Sequence, residues 1–240
     1  MSDTDTAIKP FVFTRETLAI LKNFATINQS IYFREGNVIS TLSNQRSCSA
    51  KAVISEEIPT DFAVYSLPSF LAAINLFHQP TLLFDLEGKN VKIVEGDKNL
   101  PASAVKYFFT EPSLIIYPEK DHTVTDYYEF YLSEEELMKV RKAAPVVKAN
   151  SLVFETSGKG KLKVYVQNLE SNTNNSFTIF IDAKLPDDAD FKFIIDLDNL
   201  NILEQDYRVR VSSRRMELQT LSTNHPITYW IMANSKSEWG

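Results

Sequence analysis

The sequence is poor in the features that mark several protein classes. Cys48 is the single cysteine in 240 residues, which excludes an intramolecular disulfide framework and favours a reducing compartment. The first thirty residues lack a secretory signal, and no apolar run approaches the roughly 20 residues of a membrane span. We therefore expect a soluble protein of ordinary globular composition.

Sequence motifs for catalysis or metal binding are also missing. The three histidines, His78, His122 and His225, lie far apart and have no partner at metal-ligand spacing. The segment "SGKGK" lacks the Walker spacing, and "LPDDAD" lacks the glycine and glutamate of a calcium loop. No nucleophile elbow occurs. The sequence predicts a protein that is not an enzyme and needs no cofactor, although a hydrolase or transferase site assembled from distant residues stays open.

Charge is distributed unevenly along the chain. With 31 acidic and 25 basic residues the net charge is -6, which argues against nucleic-acid binding unless the cations are concentrated locally. The stretch "TRETLAILKNFATI" from Thr14 to Ile27 shows such a concentration. At 3.6 residues per turn its apolar face comprises Leu18, Leu21, Phe24, Ala25 and Ile27. The opposite stripe comprises Arg15, Ala19, Lys22 and Thr26, which include two cations and no anion.

Most of the chain alternates in the manner of β-strands. Hairpins are predicted at Gly36, at "EGKN" and at "SGKGK", and an apolar strand is predicted before the linker around Pro118 to Thr125. Four helices are expected within this background. They are the opening stretch after the N-cap Thr14, a helix capped by Ser66, a helix with the Ser133 capping box, and a short one from Asp196.

These elements recur after half the chain. A shift of 119 residues places "FVFTRETLAILK" on "FYLSEEELMKVR", so that Lys22 falls on Arg141. A shift of about 130 aligns "DFAVYSLPSF" with "DFKFIIDLDNL". We interpret this as an internal duplication of two α+β domains, residues 1–119 and 120–240, each with a β-sheet that carries two helices on one face.

Several blocks resemble a known family. The segments "TLAILKNFATIN", "FAVYSLPSFLAAI", "SAVKYFFTEPSLIIYPEK" and "ITYWIMA" occur in the order found in the sliding clamp, the DNA polymerase processivity factor, of T4-like bacteriophages. The resemblance covers about Lys9 to Ala233. It implies the DNA-clamp fold and a head-to-tail homotrimeric ring, with helices lining the hole and sheets outside. The chain departs from the family in its acidic start, "MSDTDTAI", and in Glu134 and Met138, which stand where the first repeat has Arg15 and Ala19.

The resemblance also implies a function. A clamp encircles duplex DNA without base-specific readout and tethers the replicative DNA polymerase. Its other implied partners are an ATP-dependent clamp loader and late-transcription factors, in the cytoplasm of the infected bacterial host, and no membrane is involved. The alternative is a β-rich oligomeric interaction protein that does not bind DNA.

Candidate site residues follow from the repeats and from the resemblance. The residues expected to face DNA are Arg15, Lys22, Lys139, Arg141 and Lys142, although ordinary solvated helix cations would show the same pattern. The resemblance points to pairing of "SAVKYFF" with "SFTIFID" between subunits, through Val105, Tyr107, Phe109, Phe177, Ile179 and Ile181, where the alternative is a pair of internal strands. The expected pocket for partner peptides comprises Ile115, Ile116, Tyr117, Pro118, Trp230 and Met232, which are equally well explained as core residues.

Overall fold

The computed structural model describes residues 10–96, 101–120, 122–170 and 175–240. The acidic start therefore lies outside the described residues. Contacts divide the chain into two compact units. The first runs from the start of the described residues to Asn44 and continues with Lys51–Pro118, and the second comprises Gln45–Ala50 and Glu119–Gly240. The predicted border between residues 119 and 120 lies next to the break after Pro118.

The first unit contains two helices and a set of short antiparallel sheets. Its elements are α1 (Arg15–Ile27), β1 (Ile31–Phe33), β2 (Gly36–Leu42), β3 (Cys48–Ile58, shared with the second unit at its start), β4 (Phe62–Val64), α2 (Leu67–Ile74), β5 (Thr81–Asp85), β6 (Asn90–Glu95) and β7 (Ser103–Phe108). Strand β1 pairs with β4, β2 neighbours β3, and β6 lies between β5 and β7.

The second unit contains one long helix and larger antiparallel sheets. Its elements are β8 (Tyr128–Leu132), α3 (Glu134–Val146), β9 (Ser151–Thr156), β10 (Lys161–Gln167), β11 (Phe177–Asp182), β12 (Phe191–Asp196), β13 (Tyr207–Val211), β14 (Arg215–Thr220), β15 (Ile227–Met232) and β16 (Glu238–Trp239). One sheet has the order β11-β10-β9-β12-β16, and in another β8, β13, β14 and β15 are consecutive neighbours.

The predicted helix caps are confirmed. The Thr14 side chain accepts a hydrogen bond from the Thr17 amide, and Ser66 accepts one from Ser69. Ser133 and Glu136 form the complete capping box. Helices α1 and α3 both have 13 residues, and their first residues, Arg15 and Glu134, are related by the 119-residue shift.

Aromatic side chains form a contacting cluster in the core of the first unit. Phe33 and Phe62 stack with ring centroids 4.4 Å apart, and Phe70 of α2 packs edge-on against Phe62 at 6.3 Å. The fully buried Phe24 contributes from α1. In the second unit Phe130 packs against Phe154 at 5.7 Å. Burial of these rings stabilises each unit together with the more numerous buried aliphatic side chains.

Three sequence predictions were wrong in detail. Strand β1 pairs with β4 rather than forming a hairpin with β2, and this pairing stacks the Phe33 and Phe62 rings. The apolar stretch before the linker begins with a 3₁₀ turn, Pro112–Leu114, because its proline cannot donate to a strand ladder. The fourth helix is only the 3₁₀ turn Leu197–Asn199. The Asn201 side chain there donates locally to the Asp198 carbonyl.

In two of the sheets, one edge strand is covered by another part of the chain. Phe11 bridges the outer edge of β5, exchanging both backbone hydrogen bonds with Leu82 at 3.0 and 2.8 Å. The final segment, residues 234–240, covers β12 in the second unit. The Asn234 amide donates to the Ile194 carbonyl at 2.8 Å, and the Ser237 hydroxyl accepts from the Ile194 amide at 2.9 Å. The opposite edges of the same sheets are β7 and β11.

The helices of the described part of the chain include none that is long and apolar enough to cross a membrane.

Candidate DNA, subunit and partner surfaces

Helix α1 presents the predicted cationic stripe to solvent. Thr17, Ile20, Leu21 and Phe24 are its buried residues, whereas Arg15, Ala19, Lys22 and Thr26 are all exposed. Neither Arg15 nor Lys22 has an ion-pair partner among the described residues. The stripe therefore offers free positive charge, which is what phosphate binding requires.

The three predicted cations of α3 differ from one another. Lys142 is exposed, and Lys139 pairs with Glu135 one turn earlier at 2.6 Å, an interaction that raises the pKa of Lys139. Such exposed pairs contribute little stability, so Lys139 can exchange this partner for another anion.

Arg141 makes several contacts within its own unit. Its side chain is only 25% exposed and lies 3.6 Å from the Glu204 carboxylate. It also donates to the carbonyls of Leu200 and Ile202, at 2.8 and 2.6 Å. Arg141 thus supplies hydrogen-bond donors to the backbone carbonyls that follow the 3₁₀ turn. Its counterpart Lys22 makes no such hydrogen bonds among the described residues. A DNA-facing role for Arg141 stays a prediction and competes with these contacts.

The predicted subunit-contact residues on the first edge strand lie on its more buried face. Val105, Tyr107 and Phe109 are half-buried, and the Tyr107 hydroxyl donates to the Ser66 carbonyl at 3.0 Å. The Tyr107 ring also contacts Phe70 of α2. On the other face, Phe108 is 63% exposed. The sequence signal for this exposure is strand alternation: Phe108 lies two residues after Lys106 and therefore on the same, solvent-facing side of the strand.

The second edge strand shows the same arrangement. Phe177 and Ile179 are half-buried and Ile181 is buried, on the face of β11 that packs near α3. On the opposite face, Phe180 is 62% exposed. Sequence reasoning missed Phe108 and Phe180, which are the large apolar side chains that these two edges leave in solvent.

The connector, residues 114–118 of the first unit, combines buried and exposed side chains. Ile115 is buried and fixes the segment, whereas Ile116 and its neighbour Leu114 are 37% and 64% exposed. Tyr117 and Pro118 are half-buried, and the Tyr117 ring contacts Tyr32 at 5.1 Å. The connector therefore offers a small exposed apolar surface on a fixed backbone.

The other two residues predicted for the partner pocket belong to the second unit. Met232 is exposed, and the indole Nε1 of Trp230 donates to Glu217 at 3.0 Å. Glu217 in turn contacts Arg210, which pairs with Glu129 at 2.8 Å. These residues stand opposite one another on four neighbouring strands, so that Trp230 is held at the end of a cross-strand polar row.

The described ranges contain no group of three or more acidic, histidine or cysteine residues arranged to hold a metal ion. Cys48 is buried, and this burial raises the pKa of its thiol to about 12. A thiol so protonated is a poor nucleophile near neutral pH.

Comparison with known proteins identifies the family. A family model described as DNA polymerase processivity factor matches residues 14–99. The sliding clamp of Vibrio phage KVP40 is 31% identical over 204 residues, covering 82% of this chain and 88% of the relative. The chain belongs to the sliding-clamp family. The sliding clamp of Escherichia phage RB69 is 25% identical over 205 residues, which cover 82% of this chain and 85% of that relative. The sliding clamp of Enterobacteria phage T4 is 33% identical over 107 residues, which cover 45% of each chain.

Solved structures of similar fold include clamps of cellular organisms. Proliferating cellular nuclear antigen (PCNA) from Entamoeba histolytica superimposes with a TM-score of 0.68 at 9% identity, covering 95% of this chain and all of the other. PCNA from Thermococcus kodakaraensis gives 0.66 at 14% identity, with 94% and 99% coverage. At such low identity the likeness shows the fold alone, and it confirms the predicted α+β DNA-clamp fold.

Family membership confirms the main predictions from sequence. The protein is a phage sliding clamp, a processivity factor for DNA polymerase rather than an enzyme. The alternative of a β-rich protein that does not bind DNA is not favoured. The assignments of individual site residues remain predictions.

Proposed function

We propose that three copies of this clamp close head to tail into a ring around duplex DNA. The observation that carries the proposal is the pattern of sheet edges. In two sheets, Phe11 or the final segment covers one edge. The other edge, β7 or β11, has no strand partner among the described residues and carries an exposed phenylalanine. Open edge strands with apolar side chains are aggregation-prone unless a partner strand pairs with them.

Charge favours pairing of the two unlike strands. Lys106 is exposed on β7 on the same face as Phe108, and Asp182 is exposed on β11 on the same face as Phe180. A β7–β11 pair brings opposite charges into one interface, whereas two copies of β7 bring two lysines together. A heterologous contact of this kind generates a ring when its rotation closes, and the resemblance to T4-like clamps supports a ring of three subunits.

We infer that the exposed stripe of α1 faces the DNA in this ring. Arg15 and Lys22 carry charge that no neighbouring carboxylate in the described residues neutralises, and Lys142 adds to it from α3. Contacts with phosphate rather than with bases hold the duplex without fixing its register, so the ring slides. Lys139 and Arg141 contribute to the field more weakly, because each already has an acidic neighbour.

Partner proteins dock, in this proposal, on the exposed connector and on the surface around Trp230 and Met232. One solved clamp of similar fold, with a TM-score of 0.68 and 12% identity, is described as A. fulgidus PCNA bound to the C-terminal region of FEN-1. A short segment of the DNA polymerase is the corresponding ligand here. An ATP-dependent clamp loader and late-transcription factors are further proposed partners, and the site of action is the cytoplasm of the infected host.

Native mass and a replication assay test this proposal together. We expect the 27.4 kDa chain to run as a trimer and to increase the length of DNA that the phage polymerase makes per binding event on primed circular DNA with its loader. A stable monomer at micromolar concentration would contradict the ring. A trimer that leaves product length unchanged would contradict the tethering function.

A further inference from the structure

Arg34 is held against two tyrosine rings at the end of β1. Its guanidinium carbon lies 5.7 Å from the ring centroid of Tyr32 and 5.2 Å from that of Tyr117. The two rings contact each other at 5.1 Å, inclined by 63°. Tyr117 belongs to the connector, and Tyr32 to β1. Arg34 therefore joins the connector to the sheet while remaining exposed itself.

Asp61 fixes this arrangement without neutralising Arg34 in a direct ion pair. One carboxylate oxygen accepts the Tyr32 hydroxyl at 2.7 Å, and the other accepts the Glu35 amide at 2.7 Å. The hydrogen bond from the Glu35 backbone amide, and after it the one from the Tyr32 hydroxyl, lowers the pKa of Asp61. Within the described residues Arg34 itself has no hydrogen bond and no ion pair closer than 4.0 Å. Its guanidinium is thus held in position, with N–H groups that meet no hydrogen-bond acceptor among the described residues.

A guanidinium held by ring contacts keeps its in-plane N–H groups for another acceptor. Those N–H groups form a planar fork that matches the two oxygens of a carboxylate. The connector also carries exposed apolar side chains close to Tyr117 in the sequence, since Ile116 directly precedes it and both Ile116 and Leu114 are exposed. Exposed aliphatic side chains next to a fixed arginine and a tyrosine have the composition of an interaction hot spot.

We propose that Arg34 binds a carboxylate of the partner peptide whose apolar side chains lie on Leu114 and Ile116. This inference rests on the proposed docking of partners at the connector. It adds that Arg34 is the residue that selects the ligand. The ligand is an apolar peptide with an acidic group at one end. That group is either a side-chain carboxylate or the carboxyl terminus of the peptide, which share the same chemistry.

The test compares three forms of one probe by isothermal titration against the full-length protein. The probe is the C-terminal peptide of the polymerase from the same phage, as the free acid, as the terminal amide, and with its acidic side chains replaced by their amides. Arg34→Gln should weaken binding of the free acid by about 10-fold, in line with the loss of a charged hydrogen bond. It should also flatten the salt dependence of the affinity. Arg34→Lys should recover part of both effects.

One amidated form should bind the wild-type protein as weakly as the free acid binds Arg34→Gln. The carboxylate that this form lacks is the one that Arg34 binds. Arg46→Gln, which removes an exposed arginine of the second unit, is the matched control and should leave the affinity unchanged. Melting curves establish that each variant is folded.

Two results would overturn the inference while leaving docking at the connector intact. One is equal affinity of Arg34→Gln and wild type for the free acid. The other is an equal loss for all three peptide forms, which would mean that Arg34 only holds the connector. Failure of the wild type to bind any form would overturn both the inference and the connector site. The ring and its effect on product length would still be measurable in the replication assay.

Discussion

The Thr17 hydroxyl of α1 donates to the carboxylate of Glu56, 39 residues further along the chain, at 2.7 Å. The same carboxylate also accepts the backbone amide of the N-cap residue Thr14. In α3 the equivalent bond comes from within the helix, where Glu136 accepts the Ser133 amide at 2.8 Å. Both helices thus begin at a carboxylate, but in α1 this carboxylate also links the helix to strand β3.

Glu56→Gln should destabilise the protein by about 1 kcal/mol at neutral pH, the usual scale for loss of a capping interaction. Burial alone would raise the pKa of Glu56, but the hydrogen bonds from Thr14 and Thr17 outweigh it and lower that pKa. Because the folded pKa lies below the ordinary value of 4.5, this stabilisation is complete above pH 4.5 and is lost as the pH falls through the folded pKa.

Urea denaturation at neutral pH and at pH values below 4.5 measures this difference. The exposed neighbour Glu57 provides the control, since Glu57→Gln removes the same charge without removing a cap. A Glu56→Gln defect that persists undiminished in acid would show that lost packing, rather than the carboxylate, is the cause.

Lys22→Glu and Arg141→Glu should have different effects, although the two positions are equivalent in the repeats. Lys22→Glu should leave the melting temperature unchanged and shorten replication products, most strongly at low salt where screening is weakest. Arg141→Glu should lower the unfolding free energy by about 1–3 kcal/mol, because the carbonyls of Leu200 and Ile202 lose their donor.

The exposed Lys159 of the β9–β10 turn allows the matched charge reversal, Lys159→Glu, which should affect neither quantity. If an intact Lys22→Glu trimer supports products of wild-type length, the α1 stripe does not face DNA.

Substitutions on the two faces of the edge strands should separate assembly from folding. Phe108→Asp combined with Phe180→Asp should give folded monomers, because both rings are exposed in the single chain. Tyr107→Asp combined with Ile179→Asp should instead lower stability, since these side chains are half-buried against the core and Tyr107 contacts Phe70.

Light scattering and circular dichroism together distinguish these outcomes. Leu86→Asp, at another exposed leucine of the first unit, should leave the trimer intact. Retention of the trimer by the double phenylalanine variant would exclude these faces from the interface.

Ser237→Ala should increase aggregation by uncovering β12. The Ser237 hydroxyl both accepts from the Ile194 amide and donates to the Ile194 carbonyl, so its removal leaves a strand edge short of partners. We expect a loss of about 1 kcal/mol and more high-mass species on mild heating. Ser235→Ala, two residues earlier at an exposed position, should behave as wild type in the same light-scattering experiment. Identical curves for the two variants would mean that Ser237 does not protect the edge.

Local features of the fold were predictable because their causes lie close together in the sequence. The caps at Thr14, Ser66 and Ser133 require partners only three residues away. The hairpins of β5 with β6 and of β9 with β10 follow from short turns between alternating strands. The β1–β2 hairpin failed because the partner that β1 selects, β4, lies about thirty residues further on and no local rule identifies it.

Site residues were less predictable because their surroundings come from distant segments. Periodicity identified the Lys22 side of α1 as solvent-facing. The same reasoning treated Arg141 as equivalent, since its carbonyl partners lie 59 and 61 residues away. Alternation within β7 does identify Phe108 as the outward side chain, but hydrophobicity alone does not distinguish it from Tyr107 and Phe109.

The covered edges also bear on how the proposed ring assembles. In the proposed ring each subunit assembles only through β7 and β11, two edge strands of unlike sequence, and is therefore a bifunctional monomer. Bifunctional units form chains or cycles but never branched networks. A short chain whose two ends meet closes into a ring, because each end is present at the other at a higher effective concentration than any free subunit. Dilution should therefore favour the closed ring over longer assemblies, and adding a third open edge at β12 would convert the same subunit into a branching one.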